Sequence, residues 1–193
     1  MAELFYTGVG SRDISEEEWA LMVGIGKWLS NLGFKLRSGK AEGSDSAFET
    51  GVQESENPTN KEIYVPWENF KGNQIPGDVI VLAKPDTMNY AISVQWIKDV
   101  HPAYEKLKQG ARKLHQRNVH QVLGRDLENP APSCFLLACA NTDKHGDAKG
   151  GTATAWKIAK ANNVPCLNIR GKTKQEIYDF LRPLVMRVIT SDS

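Results

Sequence analysis

The sequence predicts an α/β fold in which a parallel sheet lies between two layers of helices. Three observations lead there. Short apolar runs alternate along the chain with segments of helical period. The run from Ser133 to Ala140 is apolar almost throughout, as a central parallel strand covered on both faces must be. The strand-to-helix turns are rich in glycine: Gly8, Gly10, Gly39, Gly43, Gly150 and Gly151. Such alternation builds a doubly wound parallel sheet of the Rossmann-like class, three-layered α/β/α.

The elements follow in order. Leu4 to Thr7 reads as a strand that ends in Gly8-Val9-Gly10-Ser11-Arg12. Ser15 with Glu18 forms a capping box, and behind it Leu21, Met22, Ile25, Trp28, Leu29 and Leu32 recur at helical spacing until Gly33 stops the helix. Phe34 to Arg37 is a second strand, running into Ser38 to Asp45 and a helix that carries Ala47, Phe48 and Val52. Ile63 to Val65 is a third strand, stopped by Pro66. From Trp67 to about Val100 no clean period appears. Gly72, Pro76, Gly77 and Pro85 fall here, and the stretch is expected to be an insertion decorating a single domain of residues 1–193. Helical segments are expected at Pro102 to Lys108 and Ala111 to Leu123. After Ser133 to Ala140 and a polar loop, Gly150-Gly151-Thr152 opens a helix to about Ala161. Val164 to Ile169 is a fifth strand, and a last helix spans Lys174 to Met186, where Pro183 marks an end or a kink.

Bulk composition narrows the functional classes. The 193 residues hold 24 basic and 23 acidic side chains, a formal net charge of +1. A protein that wraps long nucleic acid shows a basic excess, so near-neutrality counts against that role. Cys134, Cys139 and Cys166 form no C-x-x-C pair and sit in or beside apolar runs. They read as buried reduced thiols in a cytoplasmic protein. No apolar run reaches the roughly 20 residues that cross a membrane, and the first residues lack a signal-peptide pattern. No membrane role, metal site or cofactor is expected.

Three turns carry the chemistry. Gly8 to Arg12 offers glycine backbone, free N–H groups and an arginine fork. Ser38-Gly39-Lys40 through Gly43-Ser44-Asp45 leads from a strand into a helix start, where the dipole favours anions. Gly150-Gly151-Thr152 also opens a helix. Neither the Walker pattern nor G-x-G-x-x-G is met. In a parallel sheet these turns share the carboxyl edge of the strands, where ligands bind. In a fourth segment, Lys113 to His120, Arg117 and Asn118 are candidates to reach the same place; the other reading is a solvated helix face. His115 and His120 lie five apart, a poor metal pair on a helix.

These residues, in this order, resemble the SLOG superfamily. That group includes the DNA-processing protein A (Smf) family, the Lonely Guy-type nucleotide phosphoribohydrolases and nucleotide-sensing domains of bacterial defence systems. Thr7 to Arg12 looks like the first-strand turn of the DNA-processing protein A branch, Leu36 to Asp45 like its second turn, and Gln116-Arg117-Asn118 like its Arg-Asn segment. Gly150-Gly151-Thr152 followed by Ala155 looks like the superfamily's late glycine turn. The resemblance covers about residues 4–170, less the insertion. It implies a pocket for nucleotides or their phosphates, lined by Gly8, Gly10, Ser11, Arg12, Ser38, Gly39, Lys40, Gly43, Ser44, Asp45, Arg117, Asn118, Gly150, Gly151 and Thr152.

One departure bears on activity. Lonely Guy-type enzymes carry a glutamate just after the glycine-threonine turn, whereas here Ala153-Thr154-Ala155 follows Thr152. Glycosidic cleavage needs a carboxylate, and nothing selects among Asp45, Glu42 and Asp147. The first expectation is therefore a non-catalytic protein that captures or senses a nucleotide-derived small molecule. Candidate ligands are an ADP-ribose-type or cyclic nucleotide signal, as in a phage counter-defence sponge. The alternative is a single-stranded DNA-binding recombination mediator using Lys106, Lys108, Arg112, Lys113 and Arg117, and the third is a phosphoribohydrolase. Trp67, Tyr90 and Trp96 are candidates to stack on a base, and a homo-oligomer is expected.

Overall fold

The computed structural model describes residues 3–72 and 79–191. Among them, six strands form one sheet: β1 (Leu4–Gly10), β2 (Phe34–Ser38), β3 (Lys61–Val65), β4 (Val79–Val81), β5 (Leu136–Cys139) and β6 (Cys166–Asn168). Their order is β4-β3-β2-β1-β5-β6, and every neighbouring pair is parallel. Helices cover both faces: α1 (Glu16–Asn31), α2 (Ser44–Gln53), α3 (Met88–Val100), α4 (Gln109–Leu123), α5 (Thr152–Ala161) and α6 (Lys174–Ser191). This is the expected Rossmann-like three-layer arrangement.

Period-two alternation in the strands builds two cores. Tyr6, Leu36, Ile63, Leu137 and Cys139 face one way, where they meet Met22 and Leu29 of α1, Phe48 of α2 and Leu181 of α6. Val9, Leu136 and Ala138 face the other way, towards Ile97 of α3, Val119 and Val122 of α4 and Ile158 of α5. The Ser15–Glu18 capping box forms as the spacing requires, with Ser15 Oγ accepting from Glu18 N and Glu18 Oε1 accepting from Ser15 N, each at 3.0 Å.

The 67–100 stretch, read as an insertion without a clean period, holds two regular elements: Val79–Val81, which extends the sheet beside β3, and Met88–Val100, a helix capped by Thr87. Its Pro76 and Gly77 lie outside the described residues. Two expectations are corrected. The expected helix at Pro102 to Lys108 is one 3-10 turn, Tyr104–Lys106, because Leu107 and Lys108 take extended backbone and α4 starts afresh at Gln109. The final helix does not end at Pro183. It runs to Ser191 and forgoes the hydrogen bond that proline cannot donate.

All three cysteines are free thiols; Cys139 is buried, Cys134 and Cys166 half-buried. Burial pushes the Cys139 thiol up to about 12 and the Cys166 thiol up to about 11, so neither is a nucleophile near neutral pH. No helix among the described residues is long and apolar enough to cross a membrane.

Candidate ligand cavity at the sheet's carboxyl edge

The strand order reverses between β1 and β5. Gly10 and Cys139 are register partners there, so the two strands end side by side. Ligands of open α/β sheets bind at such a switch point, beyond the carboxyl ends of the strands. A cavity of about 710 Å³ opens at that place, within the range of small-molecule sites. Val9, Gly10 and Ser11 line it from the β1 turn, Ala140 and Asn141 from the end of β5, and Lys149 to Thr152 from the start of α5. Helix α4 supplies a further wall with Ala111, Leu114, His115, Arg117, Asn118 and Gln121.

The first turn is held by backbone bonds. Ser11 N donates to Cys139 O at 2.7 Å, and Ser11 O accepts from Ser44 N at 3.1 Å and Ser44 Oγ at 2.8 Å. Arg12 is exposed at the cavity mouth. Gly8 lies beneath, where an added Cβ would strike the Phe48 ring and Leu36. Its role is packing.

The second turn points mostly inward. Ser38 Oγ donates to Gly8 O at 2.6 Å. Gly43 has φ +79°, and a Cβ there would collide with the backbone of Ser11 and Arg12. Gly39 needs no unusual φ; its missing Cβ instead leaves room for the Arg117 guanidinium and the Gln121 amide. Of the six expected ligand residues here, only Asp45 lines the cavity; Ser38, Gly39, Lys40, Gly43 and Ser44 do not.

Asp45 and Arg117 are both buried and face each other electrostatically. Burial raises the Asp45 carboxyl to about 6, although Arg117 and the amides of Ala41 and Gly39 oppose the shift. Arg117 donates to the carbonyls of Gly39, Tyr64 and Leu114, and its guanidinium lies 5.6 Å from the Phe70 ring centre. It is thus no surface cation, which corrects its place in the proposed basic run. Arg112 also leaves that run: it lies 4.4 Å from the Tyr104 ring centre and pairs with Glu105.

The third turn is open. Gly150 has φ +75°, and neither Gly150 nor Gly151 has any atom within 4 Å of where a Cβ would stand. Gly151 caps α5 without a side-chain hydrogen bond, and of the first-turn N–H groups that of Ala153 donates to Gly150 O at 3.1 Å. Asn118 Nδ2 donates to Gly151 O at 3.2 Å and fixes this helix start against α4. Lys149 and Arg12 bring exposed positive charge to the same cavity.

Several lining residues escaped the sequence reading. His115 Nδ1 lies 2.8 Å from Thr154 Oγ1, and its ring stands edge-on to His101 at 4.8 Å. Burial, with help from His101 and Arg117, pushes the His115 imidazole down to about 4, so it is neutral near pH 7. Gln121 is 1% exposed. Arg170 spans the rim: it pairs with Glu18 at 2.8 Å and donates to Asp13 O at 2.7 Å and to Asn141 Oδ1 at 3.0 Å. That pairing holds the Glu18 carboxyl down at about 2. By contrast, Trp67, Tyr90 and Trp96 do not line the cavity; Trp67 packs edge-on to Phe70, and Trp96 packs against the second core. Of the three candidate acids, Glu42 pairs with Lys71 and Asp147 accepts from Trp156 Nε1, leaving Asp45 at the cavity. No group of three or more His, Cys, Asp or Glu among the described residues is arranged to hold a metal.

Sheet order and cavity together define a Rossmann-like α/β protein with its candidate ligand site at the β1/β5 switch point. The fold is similar to that of DNA processing protein A from Helicobacter pylori, whose solved structure was described for its unique single-stranded DNA binding mode. That structure matches with a TM-score of 0.50 and 13% identity, over 85% of this chain and 64% of that chain. The present chain therefore spans less than two thirds of that protein's length. No family model matches the chain, and no curated protein matches it.

Proposed function

We propose that this chain binds a nucleotide-derived small molecule in the switch-point cavity, with a phosphate at the start of α5, as a non-catalytic member of the SLOG superfamily. The observation that carries this reading is the open Gly150–Thr152 turn. Its glycines admit a close backbone approach, its helix N-terminus favours an anion, and Arg12 and Lys149 stand beside it. The volume of about 710 Å³ suits a nucleotide better than a bare ion. Apolar patches at Val9, Leu114, Ala140 and Ala155 leave space for its uncharged part. Isothermal titration against ADP-ribose, cyclic nucleotides and nucleoside monophosphates tests the reading, beside a native mass spectrum that looks for a co-purified nucleotide. Absence of binding at high micromolar concentration overturns it.

A second reading has one specific observation in its favour, the fold likeness to a protein whose single-stranded DNA binding was described. On this reading a strand phosphate would take the place of the nucleotide's. Burial of Arg117 and pairing of Arg112 leave fewer free cations on the α4 surface than the sequence suggests. DNA binding would weaken steeply with salt. Fluorescence anisotropy with a labelled oligonucleotide between low and moderate salt separates the readings, because free-nucleotide capture engages far fewer phosphates.

A further inference from the structure

An apolar groove of about 370 Å³ runs between α1 and α6 on the outer surface, and no residue lines both it and the switch-point cavity. Leu21, Ile25 and Trp28 of α1 face Ile177, Tyr178 and Leu181 of α6 across it. Four of the eight exposed large apolar side chains among the described residues, Leu32, Tyr178, Met186 and Ile189, lie on α6 or at the end of α1. Such a concentration of apolar surface marks a contact face.

Helix α1 also has an unexplained gap beside the groove. Gly24 is exposed, nothing stands within 4 Å of where its Cβ would lie, and its φ is not left-handed. Alanine would fit there and is the better helix former. Gly26, two residues on, is different, because its Cβ would stand 2.6 Å from Phe48 O of the neighbouring α2. Packing within the chain thus accounts for Gly26 and not for Gly24.

Glu17, Ala20, Gly24 and Lys27, spaced three, four and three apart, form one exposed stripe along α1. The stripe is complementary to itself when reversed. With a second copy of α1 laid antiparallel and centred at the level of Met22, Ala20 meets Gly24 and Glu17 meets Lys27. Each contact then occurs twice, as a two-fold interface requires. Small residues at the crossing let the helices approach closely, and an ion pair closes each end. Neither the Glu17 nor the Lys27 side chain has a hydrogen bond or ion pair among the described residues. The same rotation sets both grooves on one side of the helix pair. This charge pattern selects a second copy of the chain as the occupant.

We propose that the α1–α6 face is the interface of a two-fold homodimer in which α1 packs antiparallel against its copy. The proposal gives the expected homo-oligomer its surface. It uses no residue that lines the switch-point cavity, so it stands or falls apart from the ligand reading.

Analytical ultracentrifugation of the whole chain at several concentrations tests it. Wild type forms a species of twice the 21.4 kDa of one chain. Gly24→Gln, which blocks the close approach, weakens the dimer about tenfold or more. Glu17→Lys and Lys27→Glu each set like charges together twice and weaken it by a similar factor. The double variant Glu17→Lys/Lys27→Glu pairs opposite charges again and recovers most of the loss, which only the antiparallel register explains. All three positions are exposed, and circular dichroism checks that each variant keeps the fold. A wild type that stays monomeric at every concentration overturns the proposal and leaves the face to another partner. A dimer indifferent to Gly24→Gln or to the single charge reversals, or a double variant no tighter than the singles, also overturns it.

Discussion

The Ser38–Asp45 turn and the Gly150–Thr152 turn each carry a strand's end into a helix, but their polar groups go to different places. In the first, Ser38 donates to Gly8 O, Ser44 to Ser11 O, and Asp45 accepts from the Ala41 amide. In the second, the space where a Cβ would stand on either glycine is open, and the helix start is held from behind by Asn118. One turn joins β1, β2 and α4 into a unit, and the other leaves its backbone facing the cavity. A glycine-rich pattern therefore has two physical meanings, close packing and close approach. The distance from a would-be Cβ to its neighbours tells them apart.

Substitutions sharpen this contrast. The largest loss is expected for Arg117→Met, which strips the buried Asp45 of its counter-charge; we expect about 3 kcal/mol or more of stability lost in urea unfolding. Gly43→Ala comes next. It forces a side chain into a left-handed conformation against the Ser11 and Arg12 backbone, at a cost of about 2 kcal/mol. Wild-type-like melting of that variant would refute the packing role of the turn.

Acidity probes the same pair with smaller effect. The folded-state Asp45 carboxyl is raised from 3.8 to about 6, so its contribution is fully present below pH 4 and is lost as pH rises through 6. His115 runs the other way. Its imidazole is depressed from 6.5 to about 4, so its contribution is present above pH 6.5 and is lost as pH falls towards 4. Asp45→Asn should therefore steepen the rise of stability between pH 4 and 6, and His115→Asn should flatten it. Denaturation midpoints at half-unit pH steps read both.

Smallest of all on stability is Gly151→Ala. Its φ of −60° suits alanine and its surroundings are open, so stability should shift by no more than about 0.5 kcal/mol. Under the proposed function, ligand affinity should nevertheless fall, because the methyl group stands between backbone and phosphate. Unchanged affinity would remove the carrying observation for phosphate at α5.

Much of the fold was legible in the sequence. The all-apolar run at β5 and the capping box at α1 are strong local signals. The β4 strand is three residues long, and α3 buries only Ser93 and Ile97 among its residues, so neither shows a usable period. The site was legible in part. Glycines mark turns, and Gly10, Ser11, Arg12, Asp45, Arg117, Asn118 and Gly150 to Thr152 do line one cavity. Five residues of the second turn do not, because a motif does not show which way a side chain faces. Gln121, His115 and Lys149 had no local signal. Their place depends on α4 and the polar loop docking over β1 and β5, contacts between residues far apart in sequence. Similarly, Arg37 reads as a strand residue, yet it is buried and donates to the carbonyls of Val122 near the end of α4 and of Ala131 in the segment that follows it.

Arg170 has a consequence for the order of events in folding. Its bonds reach back 157 residues to Asp13 and 152 to Glu18. Contacts that close such long loops come late when the early strands have already found one another. On a ribosome, β1 to β3 emerge well before the guanidinium that cinches the rim, and domains consolidate from the N-terminus onward. A chain stalled short of residue 170 has its early strands and no clasp between Asp13, Glu18 and Asn141.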